Sequence, residues 1–183
     1  MLKWIAIVLG TLLTLLAVAV AILLVLDFRK GAGTMTNSVV IDRPPAAVWP
    51  WITNADQQKK WVSWLVEIRP LTASTEGVGS RALWIMQDQN NNNRKMEITG
   101  EIIAVNPRQS VTVKLWSDGS FDGTSNYTLV DLGNGKTRMD ATGTYRYQQS
   151  FARLLEPLIT PQARKKMDAD LQTLKSQVES QPK

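Results

Sequence analysis

The stretch that decides the fold is TPQARKKMDADLQTLKSQV, Thr160 to Val178. Within it Met167, Leu171, Leu174 and Val178 recur at spacings of four, three and four, which lays one apolar stripe along an α-helix. Arg164, Lys165, Asp168, Asp170 and Lys175 fall outside that stripe. Thr160 is placed to cap the first free N–H groups, Pro161 suits the first helical position, and Arg164-Lys165-Lys166 reads as the solvated side. Such a helix needs an apolar surface to cover. Directly before it, Gln148 to Thr160 reads as a crossing segment in which Phe151, Leu154, Leu155 and Leu158 form a short packed helix broken near Pro157.

Working back along the chain, that surface is supplied by strands. Lys136 to Tyr147 aligns Met139, Ala141, Gly143, Tyr145 and Tyr147 on one face, and Gly133-Asn134-Gly135 is a hairpin signal before it. Thr124 to Leu132 shares Tyr127 and Leu129 on a face, and Gln109 to Trp116 aligns Val111, Val113 and Leu115. Arg94 to Val105 alternates most cleanly, with Met96, Ile98, Gly100 and Ile102 against Lys95, Glu97, Thr99 and Glu101. A polar, Asn-rich hairpin end, Asp88 to Asn93, separates it from Arg81 to Gln87, where Ala82, Trp84 and Met86 fall together. Val66 to Leu71 is a further strand, with Val66 and Ile68 on one face. The soluble part contains no second long amphipathic helix, so a curved antiparallel sheet gripping the C-terminal helix is the economical architecture.

Ahead of these strands, Asn37 to Asp42 reads as a first strand ended by Arg43-Pro44-Pro45. Pro45 can open a helix through Ala46-Ala47-Val48-Trp49 and Trp51-Ile52, with Pro50 expected to kink it or end it early. A helical turn around Ala55 to Lys60 then delivers Trp61 and, three residues on, Trp64. Gly31 to Thr34 reads as a flexible joint. From Trp4 to Leu26 the chain carries 23 residues without a charge. As a helix this run reaches about 34 Å, enough to cross a hydrocarbon core of about 30 Å. Ala17-Val18-Ala19 and Ala19-Val20-Ala21 resemble cleavage sites, yet they sit inside the apolar run, so an uncleaved single-pass anchor is the reading adopted. Lys3 before the span and Arg29, Lys30 and Arg43 after it do not settle orientation; the export-like start leans to an extracytoplasmic domain. The resulting organisation is an anchor over residues 1–30, a linker over 31–36 and one domain over 37–183.

The 183 residues carry a formal charge of +5, with basic residues spread along the chain rather than gathered into a nucleic-acid-binding face. The absence of Cys and His removes thiol nucleophiles, imidazole bases and nearly every zinc site, and neither metal nor cofactor is expected.

Ser38-Val39-Val40-Ile41-Asp42-Arg43-Pro44-Pro45-Ala46-Ala47-Val48-Trp49, then Thr53-Asn54-Ala55-Asp56 and Trp61, resembles the opening of the START-like helix-grip superfamily (SRPBCC proteins). That group includes polyketide cyclases/dehydrases, lipid-transfer domains and pollen-allergen-like ligand carriers. The resemblance covers about Asn37 to Val178 and implies an α+β helix-grip fold, a curved antiparallel sheet wrapped round a long C-terminal helix, here preceded by one transmembrane helix. It also implies a cavity, expected at about 300 to 1,000 Å³, because a sheet bent round one helix does not close completely. The candidate lining residues are Trp61, Trp64, Trp84, Met86, Met96, Ile98, Val113, Leu115, Tyr127, Tyr145, Met167 and Leu171, with Gly100 and Gly143 leaving room.

Glu97, Glu101 and Asp140 are expected to face outward and Asp56, Asp88, Asp118, Asp122 and Asp131 to sit in or beside turns. No carboxylate pair therefore falls inside, and the inward phenols of Tyr127 and Tyr145 are better suited to orienting a ligand than to catalysis. The expected function is binding or transport of a hydrophobic small molecule, a lipid, isoprenoid or polycyclic metabolite, by a domain held near the bilayer through residues 4–26. A cyclase/dehydrase-type enzyme is the alternative, and a non-catalytic protein-interaction module the second alternative.

Overall fold

A computed structural model describes residues 2–28, 31–88 and 93–182. Its elements run α1 (Leu2–Phe28), β1 (Ala32–Ile41), α2 (Pro45–Thr53), α3 (Ala55–Gln58), β2 (Leu65–Pro70), β3 (Arg81–Asp88), β4 (Arg94–Asn106), β5 (Ser110–Ser117), β6 (Phe121–Gly133), β7 (Lys136–Tyr147) and α4 (Ser150–Glu179). The strands form one antiparallel seven-stranded sheet in the order β1-β7-β6-β5-β4-β3-β2, with α4 along its inner face. This is the helix-grip architecture expected from the alternating strands and the one striped helix.

The stripe of α4 is the centre of the core. Leu171, Leu174 and Val178 are buried, against Val39 and Ile41 of β1, Met139 and Ala141 of β7, Leu129 of β6, and Val48, Trp51 and Ile52 of α2. α4 runs along the full length of β1: Arg153 lies against Gly31, Asn37 Nδ2 donates to Asp168 Oδ1, Lys175 donates to the Val40 carbonyl and Asp42 N donates to Glu179. Its C-terminal carbonyls are closed by Arg43, whose guanidinium donates to Glu179 O at 2.6 Å and Gln181 O at 2.7 Å. A cation at a helix C-terminus also opposes the negative end of the helix dipole.

Several expectations are corrected. The linker over 31–36 is strand from Ala32 onward, paired residue for residue with Arg146 to Thr142 of β7. The C-terminal helix begins at Ser150 and runs through Pro157 and Pro161 without a break. Each proline removes only one N–H from the ladder, and the turn between them is pinned to the sheet, because Tyr145 Oη donates to Glu156 at 2.7 Å and lies 2.9 Å from Thr160 Oγ1. Phe151 and Leu158, expected to pack, are 69% and 65% exposed; the Leu154 side chain lies outside the described residues. Pro50 is likewise carried inside α2, which continues to Thr53. In β2 a register shift between Leu65 and Glu67 turns Leu65 inward and leaves Val66 exposed. The Asn-rich hairpin end falls mostly outside the described residues.

Antiparallel alternation assigns the connections to two ends. α1 enters β1 at the end that also holds the β5–β6 turn and the start of α4, where Tyr147 N donates to Gly31 O. The β2–β3, β4–β5 and β6–β7 connections lie at the other end, distal to α1. Residues Lys3–Leu23 of α1 have a mean hydropathy of 2.8 and no burial, and this helix is long and apolar enough to be a membrane span or a signal sequence.

Candidate functional site

Between α2–α3 and the inner face of β2–β5 the sheet leaves a cleft of about 210 Å³, smaller than the usual range of about 300 to 1,000 Å³ for ligand pockets. Its apolar lining comes from Ile52, Ile68, Ala82, Trp84, Ile102, Val111 and Val113, and its rim from Asn54, Asp56, Thr75, Glu76 and Arg81. A larger depression of about 340 Å³ over Ala32 to Thr34, Asp122, Gly123 and Thr144 to Arg146 is open to solvent. The cleft, with its apolar floor, is the better candidate for an apolar ligand.

Local chemistry explains the opening. Asn54 ends α2 and starts α3, its side chain accepting from Asp56 N at 2.9 Å and Gln57 N at 3.2 Å. This break turns the chain across the sheet instead of letting one long helix fill the space. Gln58 is held inside by its own donation to Ile52 O at 2.7 Å. On the opposite wall the β2–β3 connection is tied to β4, with Gly79 N donating to Ile102 O at 2.8 Å and Ile102 N to Ser80 O at 3.0 Å. Gly79 has φ +87°, a left-handed conformation that favours glycine. Gly100 leaves less space than expected. A Cβ there would meet Trp84 Nε1 and Val113 at 3.3 Å, so the indole already occupies the room. Trp84 Nε1 donates to no protein group among the described residues, and its side chain borders the cleft.

Of the candidate lining residues, the cleft takes Trp84 and Val113. Trp61 is buried elsewhere, its Nε1 donating to Trp51 O at 2.8 Å and its ring edge-on to Tyr127 at 6.1 Å. Met86 and Ile98 are buried with Leu65 in a second cluster that also receives Trp64 and Leu115. Leu171 and Met167 belong to the main core, and Met96 is 41% exposed. Tyr145 is buried against α4, its phenol spent on Glu156 and Thr160 rather than on the cleft. Burial raises the pKa of both Tyr127 and Tyr145, keeping them protonated at neutral pH.

Two acids that sequence reasoning left out turn toward the sheet, Glu156 half-buried and Asp170 buried. Glu156 meets Tyr145. Asp170, placed outside the stripe, is 6% exposed and accepts from Ser63 N at 3.3 Å. Helical spacing could have found it, since Asp170 lies three residues after Met167 and four before Leu174. Burial lifts its carboxyl above the ordinary 3.8, opposed by the Ser63 bonds and by Lys166, whose ammonium sits 5.1 Å from the Trp64 ring. A carboxyl that titrates above 3.8 in the folded chain holds a proton that the unfolded chain has released. It therefore withdraws stability as pH rises above 3.8. Asp170→Asn keeps the acceptor and removes the charge, so urea midpoints of the variant should fall less than those of the parent between 3.8 and neutrality. Identical slopes would show that Asp170 is not desolvated. Among the described residues no cluster of three acids, His or Cys is placed to hold a metal ion.

The model of a family described as polyketide cyclase / dehydrase and lipid transport matches residues 32–179, from the first residue of β1 to the last of α4. The chain belongs to that family. Membership in the polyketide cyclase / dehydrase and lipid transport family points to hydrophobic ligand binding. Solved structures share the fold at low identity. TTHA0849 from Thermus thermophilus is 16% identical, with 80% of this chain and 97% of that one covered and a TM-score of 0.64. Ara h 8.0201 is 12% identical, with 82% and 100% covered and a TM-score of 0.64. Norcoclaurine synthase from Thalictrum flavum, in complex with dopamine and hydroxybenzaldehyde, is 14% identical, with 87% and 94% covered and a TM-score of 0.59. No curated protein matches the chain.

Proposed function

We propose that this chain is a membrane-anchored binding domain for a small hydrophobic molecule, taken up in the cleft between α2–α3 and β2–β5. The observation that carries the reading is the cleft itself, an apolar floor bordered by the Trp84 indole and a rim of polar side chains. Size narrows the ligand. A cavity of roughly 150 Å³ holds a benzene-sized molecule, so about 210 Å³ suits one or two rings, or the end of a chain. A whole sterol does not fit the cleft in this form. Dopamine and hydroxybenzaldehyde, found in the norcoclaurine synthase complex, are single-ring molecules of that class. The role of α1 as an uncleaved anchor rests on the length and apolarity of the helix. The rim residues of the β2–β3 connection lie at the end of the sheet distal to α1, so an anchored domain would exchange its ligand on the side facing away from the bilayer.

The test uses residues 31–183, since among the described residues no α1 side chain enters the core clusters. The domain is purified without detergent, examined by native mass spectrometry and titrated with fluorescent one- and two-ring probes. One bound equivalent, or saturable uptake that quenches tryptophan emission, is the expected result. An empty domain that takes up no probe overturns the proposal.

A further inference from the structure

The start of α4 carries an apolar face that the fold does not use. Outside α1, and apart from Val78 in the β2–β3 connection, Phe151 and Leu158 are the most exposed large apolar residues among those described. They are seven residues apart, two helical turns, with half-buried Leu155 between them on the same side. This stripe lies at the end of the domain where α1 enters it, on the side of α4 turned away from Arg153 and Glu156. Gly31 follows Phe28 by three residues, at most about 10 Å of chain. Gly31 O accepts from Tyr147 N at 2.9 Å, Tyr147 O accepts from Arg153 Nε at 2.9 Å, and the Arg153 side chain lies against Gly31. Direct contacts between α1 and α4 fix the same neighbourhood.

We infer that the first turns of α4, through Phe151, Leu155 and Leu158, rest in the interfacial layer of the bilayer that α1 spans, making a second membrane contact beside the span. The inference rests on the anchoring reading of α1. A span whose last helical residue leaves the hydrocarbon places the next ten or so ångströms of structure at head-group depth, where exposed Phe and Leu gain burial and exposed Arg146 meets lipid phosphate. Glu156 and Asp122 accept from the uncharged donors of Tyr145 and Gln148 and keep their charge, which Arg146 and Arg153 offset in number. Two points of attachment hold the domain at one orientation, with the β2–β3 connection turned from the membrane.

The chain contains no cysteine, so single nitroxide labels can be introduced without background. Phe151→Cys, Leu158→Cys, Leu13→Cys and Val78→Cys are labelled in the full chain, reconstituted in phosphatidylcholine–phosphatidylglycerol nanodiscs. Each label is scored by relaxation from oxygen, which concentrates in lipid, against a water-soluble nickel chelate. The expected result is an oxygen-to-nickel ratio at positions 151 and 158 severalfold above that at 78 and approaching that at 13. A water-like ratio at 151 and 158 with a lipid-like ratio at 13 overturns this inference and leaves the anchor standing. A water-like ratio at 13 overturns both. Exclusion of both reagents with spin–spin broadening identifies a second copy as the occupant and also overturns it.

Discussion

Replacing Ala82 by Phe should weaken binding of one-ring apolar probes at least a hundredfold while leaving the domain folded. Ala82 lines the cleft on β3, beside Gly100 of β4 in the register, and a benzyl group there points its volume into a space of about 210 Å³. A single-ring ligand that loses about 150 Å² of apolar burial forgoes about 4 kcal/mol at 25 cal/mol per Å². Association costs are unchanged by the substitution, so nearly all of that difference reaches the affinity. Filling a space that is already partly open should cost stability less than about 3 kcal/mol. Fluorescence titration and thermal melting read the two effects separately. An unchanged affinity in a folded variant would place the ligand somewhere other than this cleft.

The second large effect concerns the helix that the sheet encloses. Leu174 is 0% exposed and sits in the main core with Val39, Ile41 and Met139. Leu174→Ala removes its transfer energy and leaves a void that strands on a curved sheet cannot easily collapse, so a loss of about 2–5 kcal/mol is expected. In a domain of this size that lowers the melting temperature by roughly 5–15 °C. Gln172→Ala, two residues away on the exposed side, should stay within about 0.5 kcal/mol. If the two variants melt together, α4 is not the packing centre of the domain.

The strands were legible wherever alternation was uninterrupted. β7 runs from Lys136 to Tyr147 as its pattern requires, and the Gly133-Asn134-Gly135 turn has positive φ at all three residues. The first half of β1 was not legible, because Gly31, Ala32 and Gly33 have little strand propensity of their own and read as a joint. What makes it strand is β7, and Gly33 is small there because the Tyr145 ring crosses it and a Cβ would collide with the phenol oxygen. The two prolines of α4 misled for the opposite reason, a strong local stop overridden by bonds from Tyr145 to Glu156 and Thr160. The inward faces named most of the buried residues yet few of the cleft. An apolar side chain on an inner face reads the same in sequence whether it fills the core or borders a gap. The gap depends on where α2 stops at Asn54 and how the β2–β3 connection folds back, and both are long-range outcomes.

The place of β1, the first strand after α1 in the chain, also has a mechanical side. A tug on the domain along β1, delivered through α1, would stress ten facing residue pairs with β7 simultaneously, in shear, instead of peeling them apart one by one. The same strand carries Asn37, Val40 and Asp42 against α4, so the load spreads at once into the longest helix of the fold. Under the proposed anchoring, force from the membrane would thus enter the domain through its own edge strand.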